Sequence, residues 1–130
     1  GRPETHSTQA AEAFSQMNQF HANHDAEYMA KYNRWKAWNK ANPHVWEKFQ
    51  AQADALRTVA DKSGAWLVVA KLRWDHYFAT KGHEFKMPND YTAFYARAYM
   101  AGQPERQGFF EIRRMFGEDW EYTKKVCGLK

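Results

Sequence analysis

One cysteine, Cys127, is the whole thiol content of this chain. A disulfide within the chain is therefore impossible, and so is a Cys-rich zinc site. Such usage suits a reducing compartment. Cys127 has no Cys or His beside it in sequence, which makes it a poor nucleophile. Long apolar runs are also missing. The longest, residues 65–70, falls far short of the roughly 20 residues that cross a bilayer, so no membrane partner is expected. Residues 1–9 are polar, predict no secretory signal and read as a disordered tail. The chain begins at Gly1 in place of Met, as a processed or excised piece would. No Gly-rich phosphate loop, G-x-S-x-G elbow or H-E-x-x-H pair is present, which argues against the commonest enzyme classes. Binding is expected in place of catalysis, with no cofactor.

Leucine and isoleucine are scarce, four and one. The core must then be built from rings, of which there are six Trp, seven Tyr and nine Phe. Buried Trp and Tyr need partners for their polar edges.

The pattern along the chain is helical. From about residue 10 to 40 there is no Pro or Gly, and Phe14, Met17, Tyr28, Tyr32 and Trp35 recur at helical spacing, weakening near residues 23–25. One long helix or two would fit. Asn42-Pro43 starts the next, Asn as cap and Pro at the first position. Phe49, Ala53 and Leu56 line its inner face, and it should end near Asp61 or Lys62. Ser63 caps a third helix to Ala79, with Trp66, Val69, Arg73 or Trp74, and Tyr77 on successive turns. These two helices are expected to pack through Phe49, Leu56, Trp66 and Val69. A polar connector follows, in which Phe85-Lys86-Met87 suits a short strand. Asn89 or Asp90 caps a helix over 91–101, closed by Gly102 and Pro104. Residues 109–113 suit a brief strand, with a helix as close competitor, and 118–126 a last short helix. The whole reads as a mostly α single domain over 10–130: an N-terminal helical extension, 10–41, and a core, 42–114.

Charge is uneven. Residues 62–114 carry nine basic against five acidic side chains, and the flanking segments each balance to zero. That excess points to an anionic partner. The same stretch has the element order of a winged helix-turn-helix with a short β-hairpin, in which the second helix enters the major groove. The expected nucleic-acid contacts are Asn89, Thr92 and Tyr95 at the start of the reading helix. Lys86, Arg97, Arg113 and Arg114 would lie on the backbone. A structural alternative for Arg97 is a buried pair with Glu111 or Asp75.

Over about residues 42–114 the chain resembles a largely uncharacterised family of short bacteriophage and prophage proteins. The matching residues are Asn42-Pro43-His44-Val45 with Phe49, Arg73-Trp74, Thr80-Lys81-Gly82 with Phe85-Lys86, Tyr91, Tyr95-Ala96-Arg97, Met100, Pro104, and Gly108-Phe109-Phe110 with Arg113. The match covers residues 42–114. It departs from the family at Met87-Pro88-Asn89-Asp90, where the family is Asn-rich. The resemblance implies a phage origin, and hence the cytoplasm of a bacterial host, much more than an activity.

Two polar clusters invite a metal. His21, His24 and Asp25 share helical spacing but lack a distant third ligand. Asp75, His76, His83 and Glu84 hold side chains a small metal-dependent nuclease uses, without a nuclease spacing. No metal is expected at either. The leading function is a regulatory or architectural module on duplex DNA; the alternatives are a phage factor that inhibits or redirects a host enzyme or defence system, and a small metal-dependent nuclease. Aromatics and Arg, enriched at interface hot spots, motivate the phage factor. The 10–40 segment could also pair with its own copy.

Overall fold

In the computed structural model, which describes residues 24–130, helix α1 (Ala26–Ala41) starts where its sequence provides a cap. The Asp25 carboxylate accepts from the Tyr28 amide at 2.8 Å, and the Asp25 amide donates to the Gly117 carbonyl at 2.9 Å. Gly117 has φ +78°, and a Cβ there would collide with the Asp25 carboxylate. The position therefore needs glycine twice over. The expected helical stretch before residue 24 lies outside the described residues.

Asn42 closes α1 instead of capping the next helix. Its side-chain amide donates to the Trp38 carbonyl at 2.9 Å, and α2 (Pro43–Arg57) has no side-chain cap bond. Pro43 still occupies the first position of α2, where its missing N–H costs nothing. Helix α2 stops at Arg57, short of the expected 61 or 62, because the Thr58 hydroxyl takes the Ala55 carbonyl at 2.6 Å. Strand β1 (Ser63–Gly64) leads into α3 (Ala65–Ala79). The connector has no strand at 85–87, although Met87 is buried. Helix α4 (Asp90–Gly102), a 3₁₀ turn (Pro104–Arg106), β2 (Phe110–Glu111) and α5 (Trp120–Cys127) complete the order.

The predicted extended segment near residue 110 exists, but it forms no hairpin. Its partner is β1, in parallel, with Ser63 opposite Phe110 and Gly64 opposite Glu111. Phe110 is fully buried, and its neighbour Phe109 accepts from the Ser63 amide at 3.0 Å. Burial of these two rings pulls the strand inward to β1, where a wing would project outward.

Helix α4 is the centre of the molecule. It packs against α1, α2, α3, α5 and the 3₁₀ turn, and every residue from Phe94 to Met100 is buried. The Tyr95 ring lies 5.3 Å from Phe49, 5.4 Å from Trp35 and 6.0 Å from Trp46. Phe94 stacks on Trp35 at 5.8 Å, and Phe110 joins Tyr99 at 5.4 Å. The ring-built core inferred from composition is thus present, and α1 belongs to it through Tyr28, Tyr32 and Trp35. Two of the polar edges find partners, Tyr95 donating to Asn39 at 3.3 Å and Tyr99 to Asp54 at 2.5 Å, whereas the buried Trp46 indole N–H meets no acceptor among the described residues.

Arg97 and Glu118 form a buried bidentate pair. Arg97 Nε meets Glu118 Oε2 at 2.6 Å and Nη2 meets Oε1 at 2.7 Å, with neither side chain exposed. The remaining guanidinium donors reach the Ala93 and Arg113 carbonyls at 3.0 and 2.8 Å. The carboxylate also accepts from the Met115 amide and the Thr123 hydroxyl at 2.9 and 2.7 Å. Burial alone would raise the Glu118 pKa. The Arg97 hydrogen bonds and charge, with Met115 and Thr123, outweigh it and hold the carboxyl below its usual range.

Glu118→Gln leaves Arg97 buried without its counter-charge and is expected to cost about 3 kcal/mol at neutral pH. The stabilisation from a depressed carboxyl is complete above its unfolded pKa and is lost as pH falls through the folded value. The gap between wild type and Glu118→Gln in urea unfolding should therefore shrink below about pH 4. A second expectation concerns Cys127, which is fully buried with its thiol pushed up to about 12, chiefly by burial. A thiol reagent at pH 8 should modify Cys127 only in denaturant. A folded chain that reacts at the unfolded rate would show the site is open.

Candidate interaction surface

Helix α3 presents apolar side chains on two opposite faces. Ala65, Val68, Val69 and Leu72 point into the core. On the other side Trp66, Trp74, Phe78, Tyr77 and Leu67 are 69%, 63%, 62%, 50% and 41% exposed. Trp66 therefore does not pack on α2 as expected, and Trp74 and Tyr77 are not core residues either. The physical reason is angular. At about 100° per residue, positions 66, 67, 74, 77 and 78 fall on one arc of roughly 120°, centred opposite 65, 68, 69 and 72. Only one of the two arcs can face α4. The exposed rings crowd one another, with Trp74 and Phe78 centroids 4.9 Å apart and Tyr77 and Phe78 at 6.0 Å.

Polar groups on this helix are few. Lys71 and Asp75 pair at 2.6 Å. Arg73 turns aside to the connector, donating to the Met87 carbonyl and to Asn89 Oδ1 at 3.4 and 3.3 Å.

Beside this face runs a groove of about 560 Å³ between α3, the start of α4 and residues 111–115. Four of the predicted contacts, Asn89, Thr92, Arg113 and Arg114, line it together with Arg73 and Trp66. An added Cβ on Gly64 would lie 2.5 Å from the Trp66 ring, so the indole folds over Gly64 at this wall. Arg113 is exposed and its side chain makes no ion pair among the described residues, whereas Arg114 Nε donates to the Glu118 carbonyl at 3.2 Å. Asp90 and Glu111 bring negative charge to the same walls. Lys86 is exposed in an adjoining groove that shares Arg73.

The other two predicted contacts are corrected. Tyr95 and Arg97 are both 0% exposed and reach no surface. Tyr95 is enclosed by rings, and Arg97 takes the structural alternative, a buried pair whose partner is Glu118 and neither Glu111 nor Asp75. Helix α4 has no free face to lay in a major groove beyond its first turn. The charge excess also shrinks on inspection. Arg97 and Arg106 are both buried, Arg106 with its guanidinium 4.3 Å from the Tyr99 ring and bonded to Gln50 at 3.0 Å.

Among the described residues no three His, Cys, Asp or Glu side chains converge on a metal site. Asp25 serves as the α1 cap, and His24 Nδ1 accepts from the Asp119 amide at 3.0 Å. His21 lies outside the described residues. Asp75 is taken by Lys71, and His76 packs on Phe85 at 5.4 Å. Nor is any helix among the described residues long and apolar enough to cross a membrane. Comparison with protein-family models, with curated proteins and with solved structures finds no match.

The outer arc of α3 should be nearly irrelevant to folding. Trp74→Ala is expected to change unfolding free energy by less than about 0.5 kcal/mol, against about 3–5 kcal/mol for the buried Trp46→Ala. Urea titrations of the two variants check the contrast. Equal losses would place Trp74 in the core.

Proposed function

We propose that this chain is a protein-binding module that docks through the outer face of α3, and that it is a phage factor acting on a host or phage protein. The observation that carries the reading is the cluster of five large apolar side chains exposed on one helix. Scattered exposed apolar residues are ordinary, but a contiguous patch marks an interaction site. Trp and Tyr are the side chains most enriched in interface hot spots, since they bury much area at little entropic cost. The neutral Lys71–Asp75 pair at its edge suits a protein surface better than a phosphate backbone. The phage assignment rests on the resemblance over residues 42–114.

A specific observation supports the duplex-DNA reading as the second. Lys86 and Arg113 are exposed without ion-pair partners among the described residues, and Asn89, Thr92 and Arg114 share the groove with Arg113. Such a module would approach DNA with the α3–α4 groove, since α4 itself is enclosed. The metal-nuclease reading has no ligand cluster among the described residues to rest on.

The two readings separate in one set of variants. Under the protein reading, Trp74→Glu abolishes capture of a protein partner by cross-linking, and a Lys86→Ala/Arg113→Ala double variant keeps it. Under the DNA reading the double variant weakens duplex binding and lowers the slope of log K against log salt by about one per lost phosphate contact. Failure of the wild type to shift duplex DNA at low salt would eliminate the second reading. Capture unchanged by Trp74→Glu would eliminate the first.

A further inference from the structure

We infer that the occupant of the outer α3 face is a second copy of this chain, with the two α3 helices antiparallel about a two-fold axis that crosses the outer face at the level of residue 72. The inference rests on the protein-binding reading and names its partner. It is carried by the spacing of the exposed residues.

Leu67, Ala70, Trp74 and Tyr77 follow one another at intervals of three, four and three, the seam spacing of paired helices. All four are exposed. The seam is also self-complementary. Positions 67 and 77 lie symmetrically about residue 72, and so do 70 and 74. In an antiparallel pair, Leu67 then faces the partner subunit's Tyr77. Ala70, the one small residue of the stripe, faces the partner subunit's Trp74. Large opposite small is what an isologous interface needs, because each patch must accept its own copy. Trp66 and Phe78 extend the apolar surface at the ends.

Charge and area agree. Lys71 is neutralised by Asp75 within its own helix at 2.6 Å, and Arg73 is drawn aside to the Met87 carbonyl and Asn89 Oδ1, so the stripe of Leu67, Ala70, Trp74 and Tyr77 itself holds no charged residue. Aromatic side chains carry about 150–250 Å² each. With the fractions exposed here the patch offers on the order of 500 Å² per copy. A standard interface takes about 800 Å² from each partner. The stripe and its polar rim can reach that size.

The test is sedimentation of the full chain across the micromolar range. The expected result is a concentration-dependent shift from 15.3 kDa to twice that mass. Trp74→Glu should remain at 15.3 kDa with an unchanged helical circular dichroism spectrum, and its melting temperature should match the dilute wild type's and not rise with protein concentration. Ala70→Trp is the sharper variant. In the stated register it removes the notch for Trp74 and lowers association at least tenfold, whereas on a merely sticky face an added indole strengthens association. A wild type that stays monomeric, a dimer that survives Trp74→Glu, or a dimer strengthened by Ala70→Trp would overturn the inference. Failure of the underlying reading is distinguishable. If the wild type is monomeric and Trp74→Glu abolishes capture of a different protein, docking through α3 stands and only the second copy falls. If capture is also unaffected, both fall.

Discussion

The buried pair of Arg97 and Glu118 sets the architecture. It joins the middle of α4 to the turn before α5, and its spare donors and acceptors tie in residues 113 and 115 and Thr123. Two unpaired charges could not be buried at this depth, because desolvation would far exceed any packing gain. Fully paired and hydrogen-bonded, they fix the middle of α4 against residues 113–123 in one arrangement. Arg97 also reaches back to Ala93 within its own helix, so the side chain is held along its whole length. Once that pair is formed, α4 is committed to the interior.

Everything else follows from an enclosed α4. The rings of α1 and α2 close over Phe94 and Tyr95, and β2 turns inward to place Phe110 between Phe49 and Tyr99. Helix α3 packs on α4 with one face only. Since α3 is apolar on both, the outer face remains uncovered by the other described elements. Neighbouring helices are thereby left in different settings: α4 is enclosed, and α3 keeps an exposed apolar face.

Much of the fold was legible in the sequence. The helices at 43, 65, 90 and 120 begin close to where caps, Pro and Gly placed them, and the scarcity of Leu and Ile foretold a ring-built core. Local signals of that kind depend on a few adjacent residues. The parallel pairing of Ser63 with Phe110 depends on contacts across 47 positions and has no local signature, so a hairpin was the natural expectation. Glu118 was missed as the partner of Arg97 for the same reason. The candidate surface was misread by a different route. Periodicity in α3 is satisfied by either arc, and Trp66, Trp74 and Tyr77 were assigned inward on their apolar character. The signal that could have found them is the all-round apolarity of the helix, since such a helix must be covered on both sides. Many of the residues on which the proposed phage resemblance rests, among them Phe49, Tyr95, Arg97, Met100 and Phe110, are fully buried. The resemblance therefore speaks first to the fold, while Lys86 and Arg113 are matching residues that remain at the surface.

Hydroxyl-radical footprinting with residue-level mass spectrometry tests this contrast between α3 and α4 most directly, because it reads the exposure of every ring at once. In dilute protein, Trp66, Trp74, Tyr77 and Phe78 should be oxidised rapidly, with Trp46, Phe94, Tyr95 and Tyr99 protected by at least about tenfold. Adding the bound partner should protect the α3 residues and leave α4 unchanged. Rapid oxidation of Tyr95 and Tyr99 in the folded chain, with Trp74 and Phe78 protected, would contradict the account at its centre.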